Sequence, residues 1–213
     1  MKKQPVYSDE PEKKDEYTAK NDRFYTLFAK AYDLFVKLLP FWKKWLDQAI
    51  PYIQGPRVLE ISFGTGYLLT RYANRFEAYG LDYNEKLVST ARRNLQKAGF
   101  SAHLQRADAE RLPYKNETFD CIVNTMAFTG YPDGKRAMSE IHRVLKKGGR
   151  LVMVDINYPP DGRWIGMKAV NFWAILGDII RDMDKVFNEF NFNFTQHTIG
   201  GFGSVHLYLA EKV

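Results

Sequence analysis

The chain has 213 residues, of which 45% are hydrophobic and 26% are charged, and its formal net charge is +6. This size and composition predict one globular domain with a sizeable core and exclude a wholly disordered chain. The single cysteine, Cys121, excludes a disulfide within the chain. No apolar run reaches the roughly 18 residues of a membrane span, and no apolar signal-peptide core follows Met1-Lys2-Lys3. We therefore expect a cytoplasmic location.

The positive charge is dispersed along the chain. Residues 1–20 carry five lysines and five acids, so we expect a polar and mobile arm there. Basic pairs such as Arg92-Arg93 and Lys146-Lys147 stand at predicted helix ends, where they complement the helix dipole or solvate a face. The charge therefore predicts no nucleic-acid site. Peripheral contact with an anionic membrane surface or with acidic substrates remains open.

The predicted elements begin with two helices over residues 21–50. Apolar residues at 24, 28, 32 and 35, continued at 38 and 39, recur at three- and four-residue steps as on one face of a helix, which Pro40 would end. A second short helix would carry Trp42, Trp45 and Leu46.

Strands and helices then alternate between residues 57 and 156. Asn84 can cap a helix that Gly99 ends, and Gly148-Gly149 would close a later helix that reaches Leu145. This alternation predicts a parallel sheet covered on both faces. The strands are expected at 57–61, up to Asp82, at 102–106, 119–124 and 151–156.

The last quarter predicts one long amphipathic helix within 164–190, followed by a β-hairpin. Its stripe runs from Trp173 to Phe190, and a second apolar face at Phe172, Ile175 and Ile179 could line a pocket or an oligomer contact, or simply be buried. Two extended segments around the turn at 200–203 predict the hairpin.

The most informative stretch is the first strand and the turn after it. Residues 58–66 read Val-Leu-Glu-Ile-Ser-Phe-Gly-Thr-Gly, and a second strand ends at Gly80-Leu81-Asp82. A buried strand ending in glycines, then a helix, then a strand ending in an acid is the layout of a nucleoside site, where the carboxylate meets ribose hydroxyls. A dinucleotide site requires a third glycine, and Leu69 stands in its place.

The segment from Glu60 to Gly66 resembles motif I of the class I S-adenosylmethionine (SAM) dependent methyltransferases, with Ser62 at a position where that family usually has glycine. Four further segments are similar to the family in the same order along residues 57–157. These are Asp82 after its glycine, Arg106 to Pro113, Phe119 to Asn124, and Glu140 to Leu151.

The resemblance implies an α/β fold. We expect a Rossmann-like three-layer sandwich, whose mostly parallel seven-stranded sheet has an antiparallel C-terminal hairpin and an N-terminal helical lid. The implied organisation is the mobile polar arm at 1–20 and a single methyltransferase domain at 21–213. That domain would comprise N-terminal helices at 21–50, a SAM-binding core at 57–157, and a C-terminal helix and hairpin at 158–213.

Ligands of open parallel sheets bind beyond the carboxyl ends of the strands, and this rule selects the expected SAM site. For each acid in it, a solvated loop carboxylate is the alternative. The resemblance places Glu60, Ser62, Gly64, Thr65 and Gly66 at the methionine end of the cofactor, Asp82 and Tyr83 at the ribose, Asp108, Ala109 and Glu110 at the adenine, and Asn124 and Thr125 at the sulfonium and the acceptor.

The N-terminal helix could close this site. The pattern Phe24-Tyr25, Ala29, Tyr32-Asp33 is similar to the segment that precedes the core in ubiquinone and menaquinone C-methyltransferases and phospholipid N-methyltransferases. The resemblance implies that Tyr25 or Tyr32 reaches over the cofactor, and packing on the apolar stripe is the alternative.

Methyl transfer from a sulfonium is an in-line displacement that leaves S-adenosyl-L-homocysteine, so positioning matters most and a base is optional. Asp155 is the candidate base or, alternatively, caps a loop.

A small hydrophobic or lipid-like acceptor, such as a quinone precursor, is favoured over protein or RNA, and the oligomeric state is open. The scattered histidines predict no metal site. A non-catalytic SAM-binding protein and, less favoured, an NAD(P)-dependent oxidoreductase are the alternatives. Aromatic residues that could border the acceptor or belong to the core are Phe128, Tyr131, Tyr158, Trp164, Phe172, Trp173 and Phe202.

Overall fold

The computed structural model describes residues 5–8, 10–23, 26–27 and 40–213. Residues 14–23 form the first described helix, α1. The further helices are α2 (Pro40–Asp47), α3 (Leu69–Tyr72), α4 (Glu85–Ala98), α5 (Gly134–Val144), α6 (Trp164–Leu176) and α7 (Met183–Glu189). The strands are β1 (Arg57–Ile61), β2 (Glu77–Asp82), β3 (His103–Arg106), β4 (Phe119–Thr125), β5 (Leu145–Ile156), β6 (Phe192–Gly200) and β7 (Val205–Lys212).

The strands form one seven-stranded sheet in the order β3-β2-β1-β4-β5-β7-β6. The first five strands pair in parallel, whereas β7 runs antiparallel between β5 and β6. The predicted α/β class, the mostly parallel sheet and the antiparallel C-terminal hairpin are therefore confirmed.

Alternate residues of the central strands enter two separate cores. In β1, Leu59 and Ile61 pack into the core that contains α5 and α7, whereas Val58 packs into the core that contains α2, α3 and α4. Residues 151–154 of β5 form an uninterrupted apolar run that alternates between the same two cores. Because successive side chains of a strand point to opposite faces, such a run requires helices on both sides of the sheet. The sheet and these two layers of helices make the three-layer sandwich.

The predicted ends of α4 are confirmed. The Asn84 side chain accepts hydrogen bonds from the backbone N–H groups of Lys86 and Leu87, and Gly99 ends the helix with φ +74°. Asn84 fixes where the helix begins, two residues after Asp82, which is the last residue of β2. Gly99 fixes where the helix ends.

The prediction of one long helix within 164–190 is wrong, because α6 and α7 are separate helices. Gly177 follows α6 with φ +117°, a conformation that glycine adopts without a steric penalty. The Asp182 side chain then accepts a hydrogen bond from the N–H of Lys185 and caps α7.

The predicted end of the preceding helix is also corrected. Helix α5 ends at Val144, and Leu145 already belongs to β5, which begins before Leu151. Gly148 has φ +67° inside this long strand, next to an irregularity in its pairing with β4, and does not terminate the helix.

The structure describes only part of the N-terminal region for which the sequence predicts helices. The apolar stripe from 24 to 39 lies outside the described residues except for residues 26 and 27, and Pro40 stands at the start of α2. The expected mobility of residues 1–20 stays a prediction, although the described residues of this arm contact the domain, as shown below. Across the described ranges, no helix is long and apolar enough to cross a bilayer.

Candidate functional site

A cavity of about 440 Å³ lies at the carboxyl ends of β1, β2 and β4, next to the segment that follows β3. This volume falls within the range of small-molecule sites. Ten of the predicted cofactor residues line it: Glu60, Ser62, Gly64, Thr65, Asp82, Tyr83, Asp108, Ala109, Glu110 and Thr125. The structure thus brings together residues that the sequence spreads over 66 positions, because parallel strands end at a shared edge.

Glu60, the penultimate residue of β1, is a buried carboxylate in the cavity wall and is only 1% exposed. The hydroxyl of Tyr72 in α3 donates a hydrogen bond to its Oε2 over 2.9 Å. Burial raises the pKa of Glu60 to about 8, despite the opposing effect of this hydrogen bond. The nearby Asp82 raises it slightly further. The wall therefore holds a carboxyl group that is costly to ionise.

Asp82, the last residue of β2, ties the glycine turn to the second strand. Its two carboxylate oxygens accept hydrogen bonds from the N–H groups of Gly64 and Asn84, each over 2.9 Å. Burial nevertheless raises the pKa of Asp82 to about 6. No Lys or Arg among the described residues lies within 4 Å of the carboxylate of Glu60 or Asp82. A ligand with a cationic group and vicinal hydroxyls fits this part of the wall.

Ser62 adopts φ +57°, a conformation that favours glycine. Its hydroxyl oxygen lies 2.8 Å from the hydroxyl oxygen of Tyr131, and the Asn124 amide donates to the same tyrosine oxygen over 2.8 Å. Burial raises the pKa of Tyr131, so the phenol stays protonated. This triad of Ser62, Tyr131 and Asn124 holds the turn in a conformation that glycine would adopt without help.

Asp108 and Glu110 connect the segment after β3 to the start of α5. The Asp108 carboxylate accepts from the N–H of Glu110 over 2.9 Å, and the Glu110 carboxylate accepts from the N–H of Asp133 over 2.7 Å. Burial is the main cause that raises the pKa of Glu110. Both residues line the cavity.

Helix α1, in the N-terminal part of the chain, packs over the cavity. The amide of Asn84 donates to the carboxylate of Asp22 over 2.8 Å, and Lys14 forms an ion pair of 2.7 Å with Asp133. The Tyr17 hydroxyl donates to the carbonyl of Gly177 over 2.7 Å. Five α1 residues, at positions 17, 18, 20, 21 and 22, line the cavity.

These α1 residues are absent from the predicted site. Their docking contacts are polar and join residues that are 62 to 160 positions apart in the chain. No local pattern in the sequence marks such pairs. The predicted cofactor residues Tyr25 and Tyr32 lie outside the described residues.

Three other predicted residues do not line the cavity. Asn124 acts through the triad, and Gly66 packs against α4, where an added Cβ would lie 2.8 Å from the Cβ of Ala91. Asp155 is buried and accepts hydrogen bonds from the N–H groups of Phe128 and Thr129. This arrangement corresponds to the loop-capping alternative for Asp155.

A second carboxylate, Asp178, shares Thr129 with Asp155 and does line the cavity. The Thr129 hydroxyl lies 2.8 Å from an Asp178 oxygen and 3.2 Å from an Asp155 oxygen. Burial raises the pKa of Asp178. Asp178 follows Gly177, and this break between α6 and α7 is the signal that could have identified it.

The aromatic candidates divide into three groups. Tyr131 and Trp173 line the cavity, together with Trp42, whose ring lies 6.4 Å from that of Trp173. Phe128 and Tyr158 are buried in the core, whereas Trp164, Phe172 and Phe202 are exposed on the outside. The cavity therefore has a polar wall from the strand ends and an apolar wall from α2 and α6.

Comparison with known proteins agrees with this geometry. A family model described as "Methyltransferase domain" matches residues 59–153. A demethylmenaquinone methyltransferase of Thermotoga maritima is 32% identical over 159 residues, which are 71% of this chain and 67% of that protein. A phosphatidylethanolamine N-methyltransferase of Cereibacter sphaeroides is 35% identical over 104 residues, which are 48% of this chain and 51% of that protein.

The fold is also shared with solved structures. A SAM-dependent methyltransferase from Thermotoga maritima, described as a possible histamine N-methyltransferase, superposes with a TM-score of 0.70 at 19% identity. The match covers 90% of this chain and 99% of that one. The chain belongs to the class I SAM-dependent methyltransferases, whose cofactor is S-adenosyl-L-methionine.

Proposed function

We propose that this protein transfers a methyl group from SAM to a small hydrophobic acceptor, and that a quinol-type ring is the best candidate. The observation that carries the proposal is the division of the cavity into a wall with two buried carboxylates and a wall with Trp42 and Trp173. The carboxylates suit a cationic nucleoside, and the indole rings suit an apolar ring. The similarity to demethylmenaquinone methyltransferases supports the same acceptor class.

When bound, SAM supplies an electrophilic methyl group. On transfer, the electron pair of the broken bond would stay on sulfur, and an electron pair of the acceptor would form the new bond to carbon. A ring carbon must also lose a proton, whereas an unprotonated amine can react without a base. We propose that Asp178 takes this proton, because it lines the cavity and burial raises its pKa. In this proposal Asp155 positions the loop that carries Thr129.

The cofactor residues keep their expected roles within this proposal. Glu60 would face the cationic methionine end, Asp82 the ribose, and Asp108 to Glu110 the adenine, while α1 acts as the lid. Peripheral membrane contact and a cytoplasmic location also remain part of the proposal. A non-catalytic SAM-binding protein and an oxidoreductase are not favoured, because both curated relatives described above are methyltransferases.

Calorimetric titration with SAM, S-adenosylhomocysteine and NADH is the first test, and binding of the two sulfur nucleosides without NADH is expected. Formation of S-adenosylhomocysteine is then measured with a short-chain demethylmenaquinol and with phosphatidylethanolamine. Turnover with the quinol alone supports the proposal. Turnover with the amine alone, or with neither acceptor, contradicts the acceptor assignment.

The role of Asp178 is tested by Asp178→Asn, with Asp184→Asn on the exposed start of α7 as the matched control. Loss of a general base typically lowers the rate by about 10²-fold or more. We expect this loss in the rate for the quinol, with unchanged affinity for SAM, and wild-type rates in Asp184→Asn. An equal loss in both variants, or none in Asp178→Asn, would contradict the role.

A further inference from the structure

Helix α6 exposes a continuous apolar face on the outside of the domain. We call it the α6 apolar face, and it consists of Trp164, Ile165, Phe172, Ile175 and Leu176. Ile175 is 84% exposed, and the other four are all at least partly open to solvent. The opposite side of the helix, with Met167 and Val170, packs into the core. Scattered exposed apolar residues are ordinary, but five on one 13-residue helix form a patch of the kind that marks an interaction surface.

The turn between β6 and β7 packs against the core-facing side of α6 and carries a further exposed apolar residue, Phe202. Phe202 is 65% exposed and has φ +55°, which is strained for a bulky residue. The turn contacts α6 closely, since a Cβ at Gly166 would lie 2.5 Å from the carbonyl oxygen of Phe202. A strained and exposed phenylalanine contributes little to the free energy of folding, so its place beside α6 points to an external contact.

The charges on α6 suit an anionic partner. The helix contains no Asp or Glu. Its exposed lysine, Lys168, lies over the Trp164 ring at 4.8 Å, an arrangement in which the apolar parts enter a lipid interface while the ammonium group stays at the headgroups. Arg163, just before the helix, forms an ion pair with Asp161. The chain as a whole carries a net charge of +6.

The patch is continuous with the cavity. Leu176 belongs to the α6 apolar face and also lines the cavity, where Trp173 of the same helix forms part of the apolar wall. We infer that the α6 apolar face and Phe202 dock on an anionic lipid bilayer, so that a membrane-dissolved acceptor enters the cavity beside Leu176. This inference rests on the proposed function for the acceptor, but the docking itself does not.

A bilayer fits this surface better than a second copy of the chain. The patch surrounds a lysine and its helix contains no acidic residue, so anionic headgroups complement its charge. A symmetric dimer would also bring two Lys168 side chains into the same region, whereas anionic headgroups neutralise them.

The test is flotation with vesicles of equimolar phosphatidylcholine and phosphatidylglycerol, compared with phosphatidylcholine alone, in the absence of acceptor. The double variant Phe172→Ser/Ile175→Ser removes two large apolar groups and should weaken partitioning by about tenfold or more. The matched control is Tyr52→Ser, a partly exposed aromatic residue that precedes β1 at the amino end of the sheet. We expect this control to float like the wild type.

A second readout is the blue shift of tryptophan fluorescence on adding anionic vesicles, which Trp164→Phe should largely remove. The inference is overturned if the wild-type protein does not float, if the double variant floats equally, or if that variant only changes a dimer detected by light scattering. The rate with a water-soluble quinol should be unchanged in Phe172→Ser/Ile175→Ser. Vesicle binding without any SAM binding would instead count against the proposed function alone.

Discussion

The protonation of Glu60 makes the stability of the cofactor-free protein depend on pH. Its pKa is about 8 in the folded chain, raised from 4.5 by burial. Between these pH values the folded state binds more protons than the unfolded state, so the free energy of unfolding falls as pH rises, by at most about 1.4 kcal/mol per unit. Asp82, with a pKa of about 6, acts in the same direction at lower pH.

Urea denaturation at a series of pH values checks this expectation. Glu60→Gln should flatten the decline between pH 6 and about 8, while Glu211→Gln, on the exposed side of β7, should leave it intact. A decline that survives in Glu60→Gln would show that another group causes it.

Glu60 also predicts that cofactor binding releases protons. At pH 7 the carboxyl group of the free protein is mostly protonated, because its pKa is about 8. A cationic ligand beside it favours the ionised form and lowers the pKa. Calorimetric titration with SAM in buffers of different ionisation enthalpy should therefore show proton release at pH 7 and little at pH 9. The release should disappear in Glu60→Gln, and an unchanged value there would contradict the placement of the cation.

The triad around Ser62 predicts a dependence between two distant positions. Tyr131→Phe removes the partner of the Ser62 hydroxyl and leaves the Asn124 amide only the Ile61 carbonyl as acceptor, which should lower the free energy of unfolding by about 1–3 kcal/mol. Ser62→Gly removes the orphaned hydroxyl and relieves the positive φ. The double variant should therefore be more stable than Tyr131→Phe alone, as measured by urea denaturation. Additive losses in this double-mutant cycle would mean that the two residues do not interact.

At the scale of elements, α1 contributes to the site more than to the core. Its contacts with α5 and with the end of α6 are the Lys14–Asp133 ion pair and the Tyr17–Gly177 hydrogen bond. We expect Lys14→Ala/Tyr17→Phe to weaken SAM binding severalfold, with a small loss in thermal stability, because such partly exposed contacts contribute about 1 kcal/mol or less each.

Lys13→Ala is the matched control for this variant, because Lys13 immediately precedes α1 and pairs locally, with Glu16 of that helix. It should bind SAM like the wild type in calorimetric titration. Equal affinity in all three proteins would show that α1 does not close the site.

The elements also show what could be predicted from the sequence. Strand ends and the glycine turn are local patterns, and ten cavity residues follow from them through the geometry of a parallel sheet. The break at Gly177 was missed because the apolar stripe keeps its helical spacing on both sides of a change in backbone direction. The docking of α1 was missed because polar contacts between distant residues leave no periodic signal.

At the scale of the whole molecule, the three-layer arrangement follows from apolar runs in the strands, and the comparisons confirm the family. The division of the cavity into a polar wall and an apolar wall was more difficult to predict from the sequence. The polar wall is encoded in one motif, in strand ends and in the segment after β3. The apolar wall comes from α2 and α6, which are far apart in the chain and meet through Trp42 and Trp173.

The place of β7 in the sheet has a consequence for synthesis on the ribosome. The strands from β1 to β5 can assemble once residue 156 has emerged, but β6 cannot join them, because β7 is the strand that it pairs with in the described part of the chain. Until β7 is inserted, the nascent chain presents β5 as a long unpaired edge rich in Leu, Val and Met. That edge is a template for pairing between neighbouring chains, so the interval before β7 emerges is when this protein is most exposed to aggregation and to capture by chaperones.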